Sequence, residues 1–346
     1  MKPMLARLVR ALPDENEGYV FEPKWDGFRS LASRDGERIE LLSRHGRSLT
    51  RYFPELVAAL AHLSANRWTI DGEVLVTLDG RFDFEALMGR LHPAESRVRE
   101  LAQKTPASFV AFDLPEVGDE PLLDAPFGER RRRLADLLHE IAPPLFLTPA
   151  TEDRAIAERW LAEFCGGGLD GVIAKPRDLR YLPGARAMLK VKHERTADCV
   201  AAGARASADP PEVWSLLLGL YDDADALEHI GVASSFSRAT RARLVAELAP
   251  LVTDLAGHPW EHGFLTGGGA MGRLKGAAGR WEPGMTLDWT PLRPERVVEV
   301  SYTQLDGYRL RHPAKLVRWR PDRDPDSCRI EQLDVPAPDV ESVLSK

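Results

Sequence analysis

Through the first two-thirds of the chain, short apolar runs with a period of two alternate with longer stretches of helical period. The strand-like runs are Tyr19–Glu22, Phe28–Ser33, Ile39–Ser43, Trp68–Thr77, Ser108–Asp113, Gly171–Ala174 and Met188–Lys192. The helix-like stretches are Phe53–Leu63, Phe82–Leu91, Glu95–Ala102, Gly128–Ile141 and Glu152–Phe164. In Gly128–Ile141, Leu134, Leu137, Leu138 and Ile141 share one face, and the arginines at 130–133 are expected on a solvated face. After about Glu194 short strands take over: Ala197–Ala204, Val213–Tyr221, Glu228–Ala233, Arg296–Tyr302 and Lys315–Arg320, interrupted by one helix-like stretch, Arg238–Leu251.

This change of texture predicts two domains, the soft expectation for 346 residues. The first, residues 1–195, is α+β. The second, residues 196–346, is a small β-barrel such as an OB-fold, a frequent nucleic-acid platform. The tail from Pro336 is expected to be peripheral.

Composition narrows the function classes. No apolar run is long enough to span a membrane. Met1–Arg10 is basic but lacks the apolar core and cleavage site of a signal peptide. Cys165, Cys199 and Cys328 are too scattered for a disulfide framework or a CxxC zinc site, which points to a cytoplasmic protein. The net charge of −7 means that nucleic acid would meet local basic patches rather than the whole surface. Arg309–Arg323 is one such patch, and the Gly-rich run Gly263–Arg280 is another.

The chemistry is concentrated in Lys24-Trp25-Asp26-Gly27-Phe28-Arg29, directly after the run ending at Glu22-Pro23. A lysine attacks only as the free amine. Asp26 can bind a metal or steer that amine, Gly27 lets the backbone turn close to a ligand, and Arg29 can hold a ribose or phosphate oxygen. Five further patches follow in order. Ser43-Arg44-His45-Gly46 ends a strand, and Asp71-Gly72-Glu73 lies inside an apolar one, where Glu73 is costly to bury without a partner. Phe109-Val110-Ala111-Phe112-Asp113 offers a strand-end aromatic for stacking a base. Asp170-Gly171-Val172-Ile173-Ala174-Lys175 has an acid at its start and a lysine at its end. In Leu189-Lys190-Val191-Lys192 both lysines share a face, as a phosphate clamp requires. Each patch alone is ordinary: a hairpin acid, a core strand, a solvated strand face. Together they are the parts of a nucleotidyl-transfer site, where cations and alignment do most of the work.

In this order and at these separations the patches resemble motifs I, Ia, III, IIIa, IV and V of the covalent nucleotidyltransferases, and Arg320-Pro321-Asp322-Arg323 resembles motif VI. Pro3-Met4-Leu5-Ala6, Arg311-His312-Pro313-Ala314 and Arg318-Trp319 narrow the likeness to compact bacterial LigC-type ATP-dependent DNA ligases, over Pro3 to about Leu333. The resemblance implies an adenylation (nucleotidyltransferase, ATP-grasp-like) domain followed by an all-β OB-fold domain. It implies ATP as cofactor, Mg²⁺ or Mn²⁺ as metal, and nicked duplex DNA as partner. It further implies a monomer in the bacterial cytoplasm and nucleoid, serving DNA repair, replication and recombination.

The resemblance also assigns roles. Lys24 accepts AMP, assisted by Asp26. Glu22 lies near the adenine amino group, Arg29 and Glu73 hold the ribose, and Phe112 stacks on the base. Arg44 contacts ribose or the nick phosphate, Lys175 belongs to the nucleotide-binding set, and Lys190 and Lys192 grip the α-phosphate. Glu73 and Asp170 are the metal candidates, while Arg320 and Asp322 orient the pyrophosphate. Two positions depart from the pattern. Asp170 stands where glutamate is usual, one methylene shorter, and a metal-bound water can bridge the difference. Arg323 stands where lysine is usual, keeping the charge but not its shape.

Two motifs are decoys. His258-Pro259-Trp260-Glu261-His262 spells a zinc pattern, but Pro259 and Gly263 oppose the helix it needs. Gly267, Gly269 and Gly272 fit a dinucleotide fingerprint with no strand before them. The competing functions are an RNA ligase, a GTP-dependent capping guanylyltransferase, or a scaffold that binds nucleic acid without chemistry. The last does not require a nucleophilic lysine.

Overall fold

The computed structural model describes residues 1–14, 18–78, 80–139, 142–163, 169–192, 195–263, 289–333 and 343. The chain divides into two compact units, Met1–His193 with Pro336–Lys346, and Glu194–Val335. The end of the chain therefore groups with the first unit rather than the second. Val343 is buried there in a cluster with Trp25, Leu75, Val110 and Leu169.

The first unit is built on two sheets. Its strands are β1 (Leu5–Val9), β2 (Tyr19–Trp25), β3 (Phe28–Asp35), β4 (Arg38–Ser43), β5 (Arg67–Leu78), β6 (Arg81–Phe82), β7 (Ala107–Val117), β8 (Glu120–Pro121), β9 (Leu145–Leu147), β10 (Leu169–Pro176) and β11 (Arg186–Val191). The smaller sheet runs β1-β11-β10-β2, and the larger runs β4-β3-β5-β7-β8 with β6 on β5 and β9 on β7. β1 was not foreseen. It is a half-exposed edge strand without apolar alternation, fixed by its parallel pairing with β11 and by the packing of Ala6 and Val9.

The helices α1 (Pro54–Leu60), α2 (Phe84–Gly89), α3 (Glu95–Lys104), α4 (Phe127–Leu138) and α5 (Arg154–Glu163) complete this unit. Leu56 and Leu60 of α1 and Leu134 of α4 pack with Trp68, Ile70, Val74 and Val76 of β5 and Phe109 and Ala111 of β7. Because side chains alternate along a strand, that core claims one face of the larger sheet. The other face carries Arg29, Asp71, Glu73 and Phe112. The smaller sheet is divided the same way. Phe21, Val172, Ala174, Leu189 and Val191 pack with Ala157 of α5, so alternation sets Glu22, Lys24, Lys175 and Lys190 on the opposite face.

The second unit is a curled antiparallel sheet, β14-β13-β12-β16-β19, formed by β12 (Arg195–Ala208), β13 (Pro211–Tyr221), β14 (Leu227–Ala233), β16 (Val297–Tyr302) and β19 (Lys315–Trp319), with β15 (Thr290–Pro291) on β12. A parallel bridge, Ala233 with Ala314, joins the two ends: Ala314 donates to the Val232 carbonyl at 2.8 Å and Ser234 to the Ala314 carbonyl at 3.0 Å. The bridge brings the first and last strands of the sheet together, as closure into a barrel requires. α6 (Arg238–Leu248) contributes buried Leu244 and Leu248 to the core, and Ser237 caps it by accepting from the Thr240 amide. The short hairpin β17 (Leu305–Asp306) and β18 (Arg309–Leu310) turns through Gly307, at φ +58°.

Candidate active site

The Lys24 segment is where the chain leaves one sheet and enters the other. β2 ends at Trp25 in the smaller sheet, and β3 begins at Phe28 in the larger. Asp26 and Gly27 make the crossing. A methyl group on Gly27 would lie 2.1 Å from the Val74 carbonyl oxygen, so no other residue fits there. The same close approach lets the Gly27 amide donate to Glu73 Oε1 at 2.9 Å.

Glu73 is 9% exposed. Burial raises its carboxyl to about 7, while the charges of Arg29 and Lys24 pull it back and that of Asp26 pushes it further. A carboxylate in this state gains from any cation or hydroxyl brought to it.

Arg29 makes a two-pronged pair with Asp71, Nε to Oδ1 at 2.6 Å and Nη2 to Oδ2 at 2.7 Å. Its guanidinium lies over the Phe112 ring, 4.3 Å from the centroid. Asp71 also accepts from the Tyr181 hydroxyl at 2.6 Å, and that hydroxyl accepts from the Met4 amide at 3.3 Å. Neither Asp71 nor Tyr181 was singled out in the sequence. Asp71 stands inside the quoted Asp-Gly-Glu patch, whereas Tyr181 had no local signal.

Glu22, 2% exposed, is held at both oxygens. Lys175 Nζ lies 2.7 Å from Oε2 and Arg131 Nη1 2.9 Å from Oε1. Lys175 also donates to the Phe112 carbonyl at 3.0 Å and sits 4.3 Å over the Phe127 ring. Lys175 thus supports Glu22 and Phe112 from below, at 1% exposure. The arginine run is not a solvated face. Arg130 is fully buried on Asp113, at 2.7 and 3.0 Å, and donates to the Ala125 and Leu179 carbonyls. Arg131 reaches Glu22 and the Thr148 carbonyl. Only Arg132 is left exposed, with Arg133 paired to Glu120.

The other expected residues lie nearby. Arg44 is exposed just after β4, its amide donating to the Arg29 carbonyl at 3.1 Å. Lys190 is in β11, in register with Ile173, and Lys192 follows the strand. Gly171 has φ +129°, and a methyl there would meet the Val191 carbonyl oxygen at 2.0 Å, so β10 and the lysine strand touch backbone to backbone. Asp170 begins this stretch, but its side chain lies outside the described residues.

Arg320 and Asp322 belong to the second unit. They pair with each other, Arg320 Nη2 to Asp322 Oδ2 at 2.8 Å, and this bond holds the Asp322 carboxyl down at about 2. Arg323 Nε is 3.4 Å from Asp198.

The zinc decoy is spent on structure. His258 Nε2 lies 3.0 and 3.1 Å from the Ala202 and Leu292 carbonyls, and Nδ1 accepts from the Trp260 amide at 3.0 Å, so both ring nitrogens are used. The glycines at 267, 269 and 272 lie outside the described residues, as does most of the Gly263–Arg280 run. Among the described residues no three acidic, histidine or cysteine side chains cluster as a metal cage, and no helix is long and apolar enough to cross a membrane.

A two-sheet unit with a lysine at the crossing between its sheets, followed by a closed five-stranded barrel, is a nucleotidyltransferase domain joined to an OB domain. The sequence carries this to a family, since residues 3–192 match the ATP dependent DNA ligase domain and residues 210–323 match the ATP dependent DNA ligase C terminal region. The chain belongs to the ATP-dependent DNA ligases, within them to the compact bacterial LigC type. It is 51% identical over 347 residues to DNA ligase C2 of Mycolicibacterium smegmatis, covering 100% of this chain and 97% of that one. It is 50% identical over 341 residues to DNA ligase C of Mycobacterium tuberculosis, covering 97% and 94%. A solved Lig E DNA ligase shares the fold, with a TM-score of 0.54 at 17% identity, over 92% of this chain and 99% of that one.

Proposed function

We propose that this chain seals nicks in duplex DNA through an adenylate carried on Lys24. The amine of Lys24 attacks the α-phosphorus of ATP, a nitrogen–phosphorus bond forms, and pyrophosphate leaves. AMP then passes to the 5′-phosphate at the nick. The 3′-hydroxyl attacks that phosphate, the phosphodiester bond forms, and AMP is released. The observation that supports this most directly is the crossing at Asp26-Gly27, which sets Lys24 at the boundary of the two lined sheet faces.

The remaining residues bind and orient. Glu22, held by Lys175 and Arg131, faces the base, and Phe112 stacks on it. Arg29 and Glu73 take the ribose hydroxyls, which offset the cost of burying the Glu73 charge. Lys190 and Lys192 hold the α-phosphate, Arg44 the ribose or the nick phosphate, and Arg320 and Asp322 orient the pyrophosphate leaving group. Oxygen donors suit a magnesium or manganese ion, which Glu73 and Asp170 would hold. Such an ion needs only one or two carboxylates beside substrate phosphates, and when bound it screens phosphate charge. We extend the reading to a cytoplasmic monomer acting on nucleoid DNA in repair, replication and recombination.

The test is transfer of label from α-labelled ATP to the protein, followed by sealing of nicked DNA. Lys24→Ala should abolish both. Label arriving from GTP but not ATP would point instead to a capping guanylyltransferase. Sealing of nicked RNA duplexes in preference to DNA would point to an RNA ligase. Persistent labelling of the Lys24→Ala protein would move the nucleophile elsewhere.

A further inference from the structure

Within the barrel, register sets Asp198 of β12 opposite Glu299 of β16, and Glu299 opposite Arg318 of β19. Two carboxylates directly opposite on neighbouring strands repel. Arginines offset this. Arg318 Nε lies 2.7 Å from Glu299, and Arg320 Nη1 lies 3.0 and 2.9 Å from the two oxygens of Asp198 and 3.9 Å from Glu299. The Arg320 guanidinium is therefore gripped on two edges. Its Nη1 edge takes Asp198, while its Nε and Nη2 edge takes Asp322 at 2.9 and 2.8 Å.

The two carboxylates differ in freedom. The Asp198 side chain is 15% exposed, and its peptide is clamped by Gln332, which accepts from the Asp198 amide at 2.8 Å and donates to the Asp198 carbonyl at 3.1 Å. The Asp322 side chain is 59% exposed and sits only two residues beyond Arg320. Asp198 is the fixed partner and Asp322 the replaceable one. A planar guanidinium anchored along one edge keeps the other aligned for a two-pronged grip on a phosphate.

We propose that Asp198 is a positioning residue for self-adenylylation, fixing Arg320 so that its Nε–Nη2 edge presents to the polyphosphate. The proposal rests on the reading above that Arg320 acts on the pyrophosphate leaving group. Asp198 touches no reactant; it acts through Arg320.

The experiment uses the full chain and two assays: self-adenylylation against ATP concentration, and sealing of a nick already carrying AMP. Asp198→Asn removes the charge at constant shape. Its maximal rate of self-adenylylation should fall roughly 10- to 100-fold, with an unchanged melting temperature and sealing of the pre-adenylylated nick within about twofold. Asp198→Glu should recover part of the rate. The double variant D198N/R320A should be no slower than R320A alone. Additive losses in that cycle would overturn the proposal, as would equal losses in both assays with a lowered melting temperature. An impaired R320A beside a fully active D198N would overturn it too. If R320A itself labels at the parental rate, the underlying reading of Arg320 fails instead.

Discussion

The backbone amide of Gly27 donates to Glu73 Oε1 at 2.9 Å. This one bond joins the segment that carries Lys24 to the central strand of the larger sheet. It needs the chain at residue 27 to lie against the Val74 backbone, which any side chain would prevent. Lys24 and the buried acid are thus placed by the same contact.

Gly27→Ala tests that placement. The added methyl, 2.1 Å from the Val74 oxygen and 2.7 Å from Leu75 Cδ2, must push β3 away from β5 or reopen the crossing. The expected cost is about 1–3 kcal/mol of stability, with loss of Lys24 labelling even at saturating ATP. Thermal melts beside label transfer would show both. A folded Ala variant with parental labelling would refute the requirement for close approach.

Glu73→Gln tests the buried charge. The Glu73 carboxyl is raised from 4.5 to about 7, chiefly by burial. Below pH 4.5 it is protonated in the folded and unfolded chain alike. As pH rises toward 7 the unfolded chain releases the proton first, so the folded state loses stability through that window. The Gln variant should gain on the parent over this range and hold a level advantage above it, on the order of 3 kcal/mol. Adenylylation should fall at the same time. Denaturant melts across pH would detect the gain, and a pH-independent difference would contradict it.

The arginine run offers a contrast within four residues. Arg130→Ala strands buried Asp113 without its partner and should cost about 3–5 kcal/mol. Arg132→Ala, on the exposed side of the same helix, should stay within about 0.5 kcal/mol. Urea unfolding of the two variants measures this directly. Similar values for both would mean that the Arg130–Asp113 pair contributes little.

Much of this protein was legible before any coordinates. Strand alternation in Trp68–Thr77 and Ser108–Asp113 places Glu73 and Phe112 on strands, and the patches from Lys24 to Lys192 name the chemistry. Texture alone foresees the change to short strands after about Glu194 and the helix that interrupts them. These features are local: they depend on period, turn residues and the side chains a reaction needs.

What escaped is set by partners far away in sequence. Tyr181 reaches Asp71 across 110 residues, Arg131 reaches Glu22 across 109, and Arg320 reaches Asp198 across 122. The arginine run reads as solvated because four like charges in a row are usually so. Helical rotation instead turns Arg130 inward onto an aspartate that another strand supplies. β1 pairs with β11, which lies about 180 residues further along the chain. The chain by itself determined which elements form and which reactive groups are present. Sheet register and the packing of α4 decided which charges are buried, because the cost of burying a charge depends on the neighbour that meets it.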